Sequence, residues 1–259
     1  MGHNIVPAPP KSTRWKHVAG LVEGGADPAM VAGASIHAAE NDLAQIAGNP
    51  VFVEAIRLLA GIPVAAASRN PAQAFHDLGT QAGATPSLTD LMGAVSARLD
   101  GVAKDAGGGS DFGELCRRAL ISTLITRIGD ELPGLIPSED RDVIIAASAL
   151  RRPEAFAASA RDFFGVLLSQ TLSNWVDRLL PLQVGPGQRF AHAGERAAFS
   201  RALDLHVWET TRIIQEFSVG WYGKSLGGAA FDRERARGFG GHAITKIRKE
   251  LLREAGYDA

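Results

Sequence analysis

Residues 111–132 read DFGELCRRALISTLITRIGDEL, and this stretch predicts the fold class of the whole chain. Its apolar residues recur every four positions as Phe112, Cys116, Leu120, Leu124 and Ile128, with Ile121 and Ile125 beside them. This period places the apolar side chains along one face of an α-helix, whereas a half-buried strand would alternate apolar and polar residues. Asp111 is a favourable capping residue, and Pro133-Gly134 is expected to end the helix.

Two long helices are predicted after this one, and together with the helix before them they are expected to form the central core. The two segments are 153–180, which begins with Pro153, and about 194–226, and a last helix is predicted at about 241–255. The apolar run 143–147 has no partner strand nearby in the sequence. We therefore expect this run to lie in a shorter helix that is opened by Ser138 and Glu139.

Helix starts also recur in the first third of the chain. Asp or Asn followed by Pro occurs three times, which places a capping side chain before a proline at the first helical position. These pairs are Asp27-Pro28, Asn49-Pro50 and Asn70-Pro71, and the respective helices are expected to end at Gly48, Gly61 and Gly79. Ser87 is expected to open a further helix that runs to about Lys104. The spacing predicts short antiparallel helices joined by tight turns.

The chain is therefore predicted to be all-α, with multi-helix bundles built from short helices in the N-terminal third and longer core helices afterwards. Alternation of apolar and polar residues, which would indicate strands, is almost missing. The flexible sequence Gly107-Gly108-Gly109-Ser110 is the predicted boundary. The resulting division is a flexible arm (1–12), an N-terminal bundle (13–106), a linker (107–110) and a C-terminal bundle (111–259).

The composition is typical of a packed globular protein in a reducing compartment. The sequence has 259 residues, of which 46% are hydrophobic, and a formal net charge of −1, so no strong overall field favours nucleic acid or anionic membranes. Cys116 is the single cysteine, which excludes an internal disulfide. The apolar run 163–176 is shorter than the ~20 residues that span a bilayer. We therefore expect a cytoplasmic protein without a membrane segment.

Two histidine–glutamate pairs with helical spacing are candidate metal ligands. His37 with Glu40, and His206 with Glu209, stand three residues apart and so share one side of a helix. Facing helices in bundles bind metals through carboxylate and imidazole groups at this spacing. Such motifs usually have the order Glu-x-x-His, however, and a histidine buried beside a carboxylate explains the same residues. We therefore predict no metal and no cofactor, with these four residues as the alternative.

Two further features have both a structural and a chemical interpretation. Cys116 lies within the apolar stripe, where it is expected to pack as a small hydrophobic residue rather than act as a nucleophile. The segment 185–189 (GPGQR) precedes a predicted helix, whose N-terminus could bind a phosphate with help from Arg189. Its spacing matches no nucleotide-binding motif, so a simple turn is favoured. Gly227-Gly228 and Gly240-Gly241 are predicted hinges.

The C-terminal region is the predicted binding surface. Basic residues are interleaved there with aromatic ones, a pattern that can bind a phosphate backbone or anchor a protein interface. The candidate residues are Trp221, Tyr222, Lys224, Arg233, Arg235, Arg237, Lys246, Lys249 and Arg253. The last predicted helix has Lys246, Lys249 and Arg253 on one side and Ile244, Ile247 and Leu251 on the other. A solvated helix face with the aromatic residues in the core is the competing interpretation.

These patterns support three hypotheses on function. The favoured one is a non-enzymatic helical subunit or adaptor that acts in a larger assembly by binding another protein or itself. The first alternative is a nucleic-acid-binding accessory protein, whose salt-sensitive binding would weaken when Lys246, Lys249 and Arg253 become Glu. The second alternative is an enzyme with a metal site in the helix bundle, which elemental analysis of the native protein would test.

Overall fold

The computed structural model describes residues 12–133, 139–226 and 231–257, and helices form the framework of these ranges. The α-helices are α1 (Thr13–Glu23), α2 (Pro28–Ala38), α3 (Glu40–Ile46), α4 (Pro50–Ala66), α5 (Pro71–Asp77), α6 (Leu88–Asp105), α7 (Asp111–Asp130), α8 (Asp140–Ala149), α9 (Pro153–Val176), α10 (Ala193–Thr210), α11 (Arg212–Leu226) and α12 (Arg233–Glu254). A 3-10 helix, Leu180–Gln183, follows α9, and an isolated bridge pairs Val184 with Phe190. These ranges contain no strand, so the all-α prediction is confirmed.

Side-chain caps begin several helices at the residues predicted for them. Asp27, Asn49, Asn70 and Ser87 each accept a hydrogen bond from a backbone N–H in the first turn of α2, α4, α5 and α6, respectively. These bonds satisfy backbone donors that have no partner within the helix. One start differs from the prediction, because Ser110 caps α7 and Asp111 is its first helical residue. Apart from Ser12, which caps α1, the predicted arm lies outside the described residues, as do Gly134 and Ser138.

Two helices predicted as continuous are interrupted. The segment after Pro28 forms α2 and α3, with Ala39 between them at φ −92° and ψ 13°. The predicted helix 194–226 forms α10 and α11, which meet at Thr211. Thr210 and Thr211 donate their hydroxyl groups to the carbonyls of His206 and Trp208, at 2.8 and 2.7 Å. Hydroxyl groups that bond back to the preceding turn in this way perturb a helix.

Gly61 was predicted to end a helix and Gly240-Gly241 to form a hinge, but all three glycines lie inside helices. α4 continues through Gly61 to Ala66, and α12 begins at Arg233 and passes through Gly240 and Gly241. Both corrections have the same cause, which is close packing. A Cβ atom at Gly61 would lie 2.5 Å from Leu78 Cδ1, and one at Gly240 would lie 2.5 Å from Ile56 Cδ1. Gly227-Gly228, the other predicted hinge, lies outside the described residues.

The helices form two compact units that are discontinuous in sequence. The first comprises the described residues of 1–44, 168–211 and 244–259, and the second those of 45–167 and 212–243. The predicted boundary at 107–110 lies inside the second unit, where α6 on one side of it packs against α7 on the other. The division into an N-terminal bundle (13–106) and a C-terminal bundle (111–259) stays a prediction.

The second unit is organised around α4. This helix packs against α5, α6, α7 and α8, and 13 of its 17 residues are buried. Phe52 contacts the rings of Phe112, Phe163 and Phe164 at centroid distances of 6.0–6.3 Å. A helix that is apolar on all sides is expected at the centre of a core. Cys116 is fully buried in the same unit, as predicted.

The first unit joins segments that are distant in sequence. α2 packs against α1 and against α10. Trp15 on α1 meets Trp175 on α9 edge to face, with ring centroids 5.6 Å apart. In the described ranges, no helix combines enough length with enough apolar character to span a lipid bilayer.

Two glycines of α12 provide a matched test of this packing. We expect Gly240→Ala to lower the free energy of unfolding by about 1–3 kcal/mol, because the added methyl group would overlap Ile56 and Phe52. Gly238→Ala has open space around its Cβ and is expected to raise the same quantity by up to about 1 kcal/mol through helix propensity. Urea unfolding of both variants measures the difference. Equal shifts of the same sign would contradict the close contact at Gly240.

Candidate functional site

A buried carboxylate surrounded by three arginine side chains lies in the second unit. Glu54, whose side chain is 1% exposed, accepts hydrogen bonds from Arg57, Arg98 and Arg233. Arg57 donates through Nη2 to Oε1 at 2.6 Å and through Nε to Oε2 at 3.0 Å. Arg98 Nε lies 2.6 Å from Oε1, and Arg233 Nε lies 3.3 Å from Oε2. We call these four residues the Glu54 cluster.

Four parts of the second unit contribute to the Glu54 cluster. Glu54 and Arg57 stand one turn apart on α4, Arg98 lies on α6, and Arg233 is the first residue of α12. The turn after α5 completes the arrangement, because Arg57 Nη2 also donates to the carbonyl of Leu78 at 2.5 Å. Gly79 has φ +79°, and a Cβ atom there would lie 3.0 Å from the guanidinium carbon of Arg98. A glycine at this position therefore leaves room for the arginine.

The cluster carries an excess of positive charge. Three guanidinium groups and one carboxylate give these four side chains a net charge of +2. Burial is the largest single influence on the pKa of the Glu54 carboxyl and raises it. The hydrogen bonds and charges of Arg57 and Arg98 together outweigh burial and lower this pKa below its ordinary value. Glu54 is therefore ionised at neutral pH.

A second carboxylate of the same unit provides a contrast. Glu114 accepts hydrogen bonds from Arg117 and Arg118, and these bonds lower the pKa of its carboxyl. Asp100 lies 3.9 Å from Arg117, so two acidic and two basic side chains cancel. Glu114 is also far more exposed than Glu54. This group is a neutral surface network.

The aromatic part of the predicted surface is largely internal. Tyr222 is fully buried, and its ring stacks on Phe156 with centroids 3.9 Å apart. Burial raises the pKa of Tyr222 to about 12. This residue therefore belongs to the core and not to an exposed surface, which corrects the prediction. Trp221 is half-buried and packs against Phe231 and Phe239.

The basic part of the predicted surface is mostly exposed. Arg233 belongs to the Glu54 cluster, Arg235 is half-buried, and Arg237, Lys246, Lys249 and Arg253 are exposed, while the side chain of Lys224 lies outside the described ones. Ile244, Ile247 and Leu251 are buried, as predicted. The Arg253 guanidinium pairs with Glu250 and Glu254, which reduces the net charge of this side of α12. Nucleic-acid binding by these residues stays a prediction.

The predicted metal-ligand pair His37 and Glu40 is engaged in other contacts. The Glu40 carboxylate accepts hydrogen bonds from Arg14, at 3.1 Å, and from Arg248. The hydrogen bond from Arg14 is the largest influence on the pKa of Glu40, which lies below its ordinary value. The His37 ring stacks on Tyr257, with centroids 5.4 Å apart. Glu40 is therefore part of an ion-pair network.

In the second predicted pair, His206 contacts a carboxylate other than that of Glu209. His206 Nε2 lies 3.4 Å from the carboxylate of Glu254, and the Thr210 hydroxyl oxygen lies 3.1 Å from the same carboxylate. Glu209, in contrast, is exposed. This arrangement matches the alternative interpretation, a sheltered histidine beside a carboxylate. Within the described part of the chain, no three His, Cys, Asp or Glu side chains are grouped so that they could hold a metal ion.

Cys116 and Arg189 both lie in environments that explain them as structural residues. Burial raises the pKa of the Cys116 thiol well above its ordinary value, which disfavours the nucleophilic thiolate. Arg189 donates to the carbonyls of Val22 and Ala26, at 2.9 and 2.5 Å, and its guanidinium lies 4.2 Å from the ring centre of Phe199. The Arg189 guanidinium, which the alternative interpretation assigned to phosphate binding, therefore binds backbone carbonyls at the end of α1 and just after it.

α10 presents a distinctive outer face in the first unit. Phe199, Leu203, Val207 and Thr210 are its buried residues, and Leu205, on the other side, is 60% exposed. Arg201 and Glu209 are exposed one turn before and one turn after Leu205. Ala202 is exposed beside them, and Trp208 is half-buried. We call Arg201, Ala202, Leu205, Trp208 and Glu209 the α10 face.

Glu54, Arg57 and Arg98 were not among the site residues predicted from the sequence. One signal was present, since Glu54 and Arg57 are the only charged residues of the apolar helix α4 and stand three residues apart. Comparison with known proteins adds no further assignment, because no family model, no curated protein and no solved structure matches this chain.

Proposed function

We propose that this protein is a non-enzymatic helical subunit that acts through protein–protein interaction, and that the α10 face is the surface it uses. The supporting observation is Leu205, a large apolar side chain that is 60% exposed at the centre of that face. Trp208 lies one turn further along, and Trp is among the residues that contribute most to binding energy. Charged residues flank both, as in interfaces with an apolar centre and a polar rim.

The arrangement of residues favours a second copy of this chain as the partner. Arg201 and Glu209 stand four residues before and four residues after Leu205. Two α10 helices packed antiparallel about Leu205 would bring Arg201 of one copy level with Glu209 of the other, twice. Ala202 would likewise lie level with Trp208, a small residue opposite a large one. Such self-complementarity is what a two-fold symmetric interface requires.

The native mass in solution tests this proposal. We expect light scattering and sedimentation to give twice the mass of one chain, and Leu205→Glu to give the mass of a single chain, because a buried unpaired charge opposes association. Leu182→Glu is the matched control, since Leu182 is 68% exposed in the same unit but lies outside α10. This control is expected to keep the mass of two chains.

Charge reversal tests the proposed pairing of Arg201 with Glu209 separately from the apolar contact of Leu205. Arg201→Glu and Glu209→Arg are each expected to weaken association, because each places like charges at one level of the interface. The double variant restores opposite charges and is expected to recover most of the affinity. A single-chain mass for the unmodified protein at high concentration would refute self-association. A Leu205→Glu variant that keeps the mass of two chains would refute the α10 face as the interface.

A further inference from the structure

The Glu54 cluster contains cationic groups that its own carboxylate does not occupy. Arg98 and Arg233 both reach Glu54 through Nε. Among the described residues, neither guanidinium forms a hydrogen bond through Nη1 or Nη2. The Nη groups at the end of a guanidinium form the fork that binds carboxylate or phosphate oxygens through two parallel bonds. Two such forks therefore lie beside one fixed anion.

Both forks can be reached from solvent. The side chain of Arg98 is 27% exposed and that of Arg233 is 62% exposed, whereas Glu54 is buried beneath them. Arg57 holds the Glu54 carboxylate from within the unit and also binds the Leu78 carbonyl. The carboxylate thus serves as a fixed acceptor that orients the two outer arginines. Groups oriented before binding lose less conformational freedom when a ligand arrives.

The charge of the cluster indicates the class of ligand. The neighbouring Asp232 lies outside the cluster, and its carboxylate accepts a hydrogen bond from the backbone N–H of Arg235 at 2.9 Å. The four side chains of the cluster itself sum to +2. A carboxylate ligand would balance half of this charge, whereas a phosphomonoester carries close to −2 above about pH 7. We propose that Arg98 and Arg233 bind the dianionic phosphate group of a small phosphorylated molecule.

A ligand series that varies charge tests the proposal. Methyl phosphate, dimethyl phosphate and acetate are titrated into the full-length protein at about pH 8 and constant ionic strength, where only methyl phosphate is a dianion. Isothermal titration calorimetry gives the affinities. We expect methyl phosphate to bind about tenfold more tightly than either monoanion, because it engages both forks. Equal affinities for the three ligands would overturn the proposal.

Variants of single arginines assign the binding to the cluster. Arg233→Gln is expected to weaken methyl phosphate binding about tenfold, since one charge-assisted pair is lost. Arg233 is largely exposed, so circular dichroism is expected to show an unchanged fold. Arg118→Gln, in the neutral Glu114 network, is the control and is expected to bind as the unmodified protein does. Unchanged binding in Arg233→Gln, or the absence of saturable binding in the unmodified protein, would overturn the assignment.

This proposal does not depend on self-association. The Glu54 cluster belongs to the second unit and the α10 face to the first. The Leu205→Glu variant is therefore expected to bind methyl phosphate with unchanged affinity. The two proposals can accordingly fail separately.

Discussion

Replacing Glu54 with Gln is expected to lower the free energy of unfolding by about 3 kcal/mol. Removing one partner from a buried ion pair costs about 3–5 kcal/mol, because it leaves a buried charge without compensation. The lower end applies here, since Gln keeps one carbonyl acceptor and two of the three arginines reach water. Urea unfolding at neutral pH measures the change.

Glu114→Gln is the matched control for this prediction. Glu114 also accepts hydrogen bonds from two arginines, but it lies near the surface. Exposed pairs of this kind contribute about 0–1 kcal/mol, so a small change is expected. Similar losses in Glu54→Gln and Glu114→Gln would show that burial does not strengthen the Glu54 cluster.

The same interaction has a pH dependence with a defined sign. The pKa of Glu54 is lower in the folded protein than the value of 4.5 for a free side chain. Its contribution is therefore fully present above about pH 4.5 and is lost as the pH falls through the folded pKa. We expect the stability difference between the unmodified protein and Glu54→Gln to shrink over this acidic range. A difference that is independent of pH would contradict the role of the ionised carboxylate.

Replacing Tyr222 with Ala is expected to lower the free energy of unfolding by about 3–5 kcal/mol. Loss of a large buried aromatic side chain removes its apolar contacts and leaves a cavity. Tyr222 is fully buried and stacks closely on Phe156, so few of these contacts can be replaced by water. Thermal and urea unfolding measure the loss.

Tyr222→Phe distinguishes the ring from the hydroxyl group. The Tyr222 hydroxyl lies 3.5 Å from the carbonyl of Ala60, which is long for a hydrogen bond, so a loss below about 1 kcal/mol is expected. If Tyr222 were instead a surface anchor, Tyr222→Ala would change partner binding and leave stability nearly unchanged. That result would restore the prediction made from the sequence.

The helices could be predicted where their signals were local. The capping residues Asp27, Asn49, Asn70 and Ser87 act within one turn, and four neighbouring letters are enough to recognise them. The positions of Gly61 and Gly240 could not be predicted in this way, because their roles depend on residues distant in sequence. Gly61 makes room for Leu78, and Gly240 makes room for Phe52 and Ile56. A glycine that ends a helix and one that admits a neighbour look identical in a single sequence.

The Glu54 cluster could not be predicted from short stretches of sequence either, because most of its residues are far apart in the chain. Glu54 and Arg57 are neighbours on one helix, but Arg98 is 44 residues and Arg233 is 179 residues from Glu54. Arg233 was predicted as a surface residue because other basic residues are near it in the sequence, and its buried partner Glu54 was not recognised. Tyr222 was assigned to the surface because an aromatic residue beside basic ones fits both a core and an interface.

The first unit gathers segments from widely separated parts of the chain, as the contact of His17 with Tyr257 across 240 positions illustrates. During synthesis, residues 12–44 leave the ribosome long before residues 244–257 exist. α1 and α2 therefore keep part of their apolar surface exposed until the later segments of the first unit, 168–211 and 244–257, have been synthesised. Nascent chains halted before residue 244 should consequently be captured by chaperones and cut by proteases within residues 12–44, whereas chains carried past residue 257 should resist both.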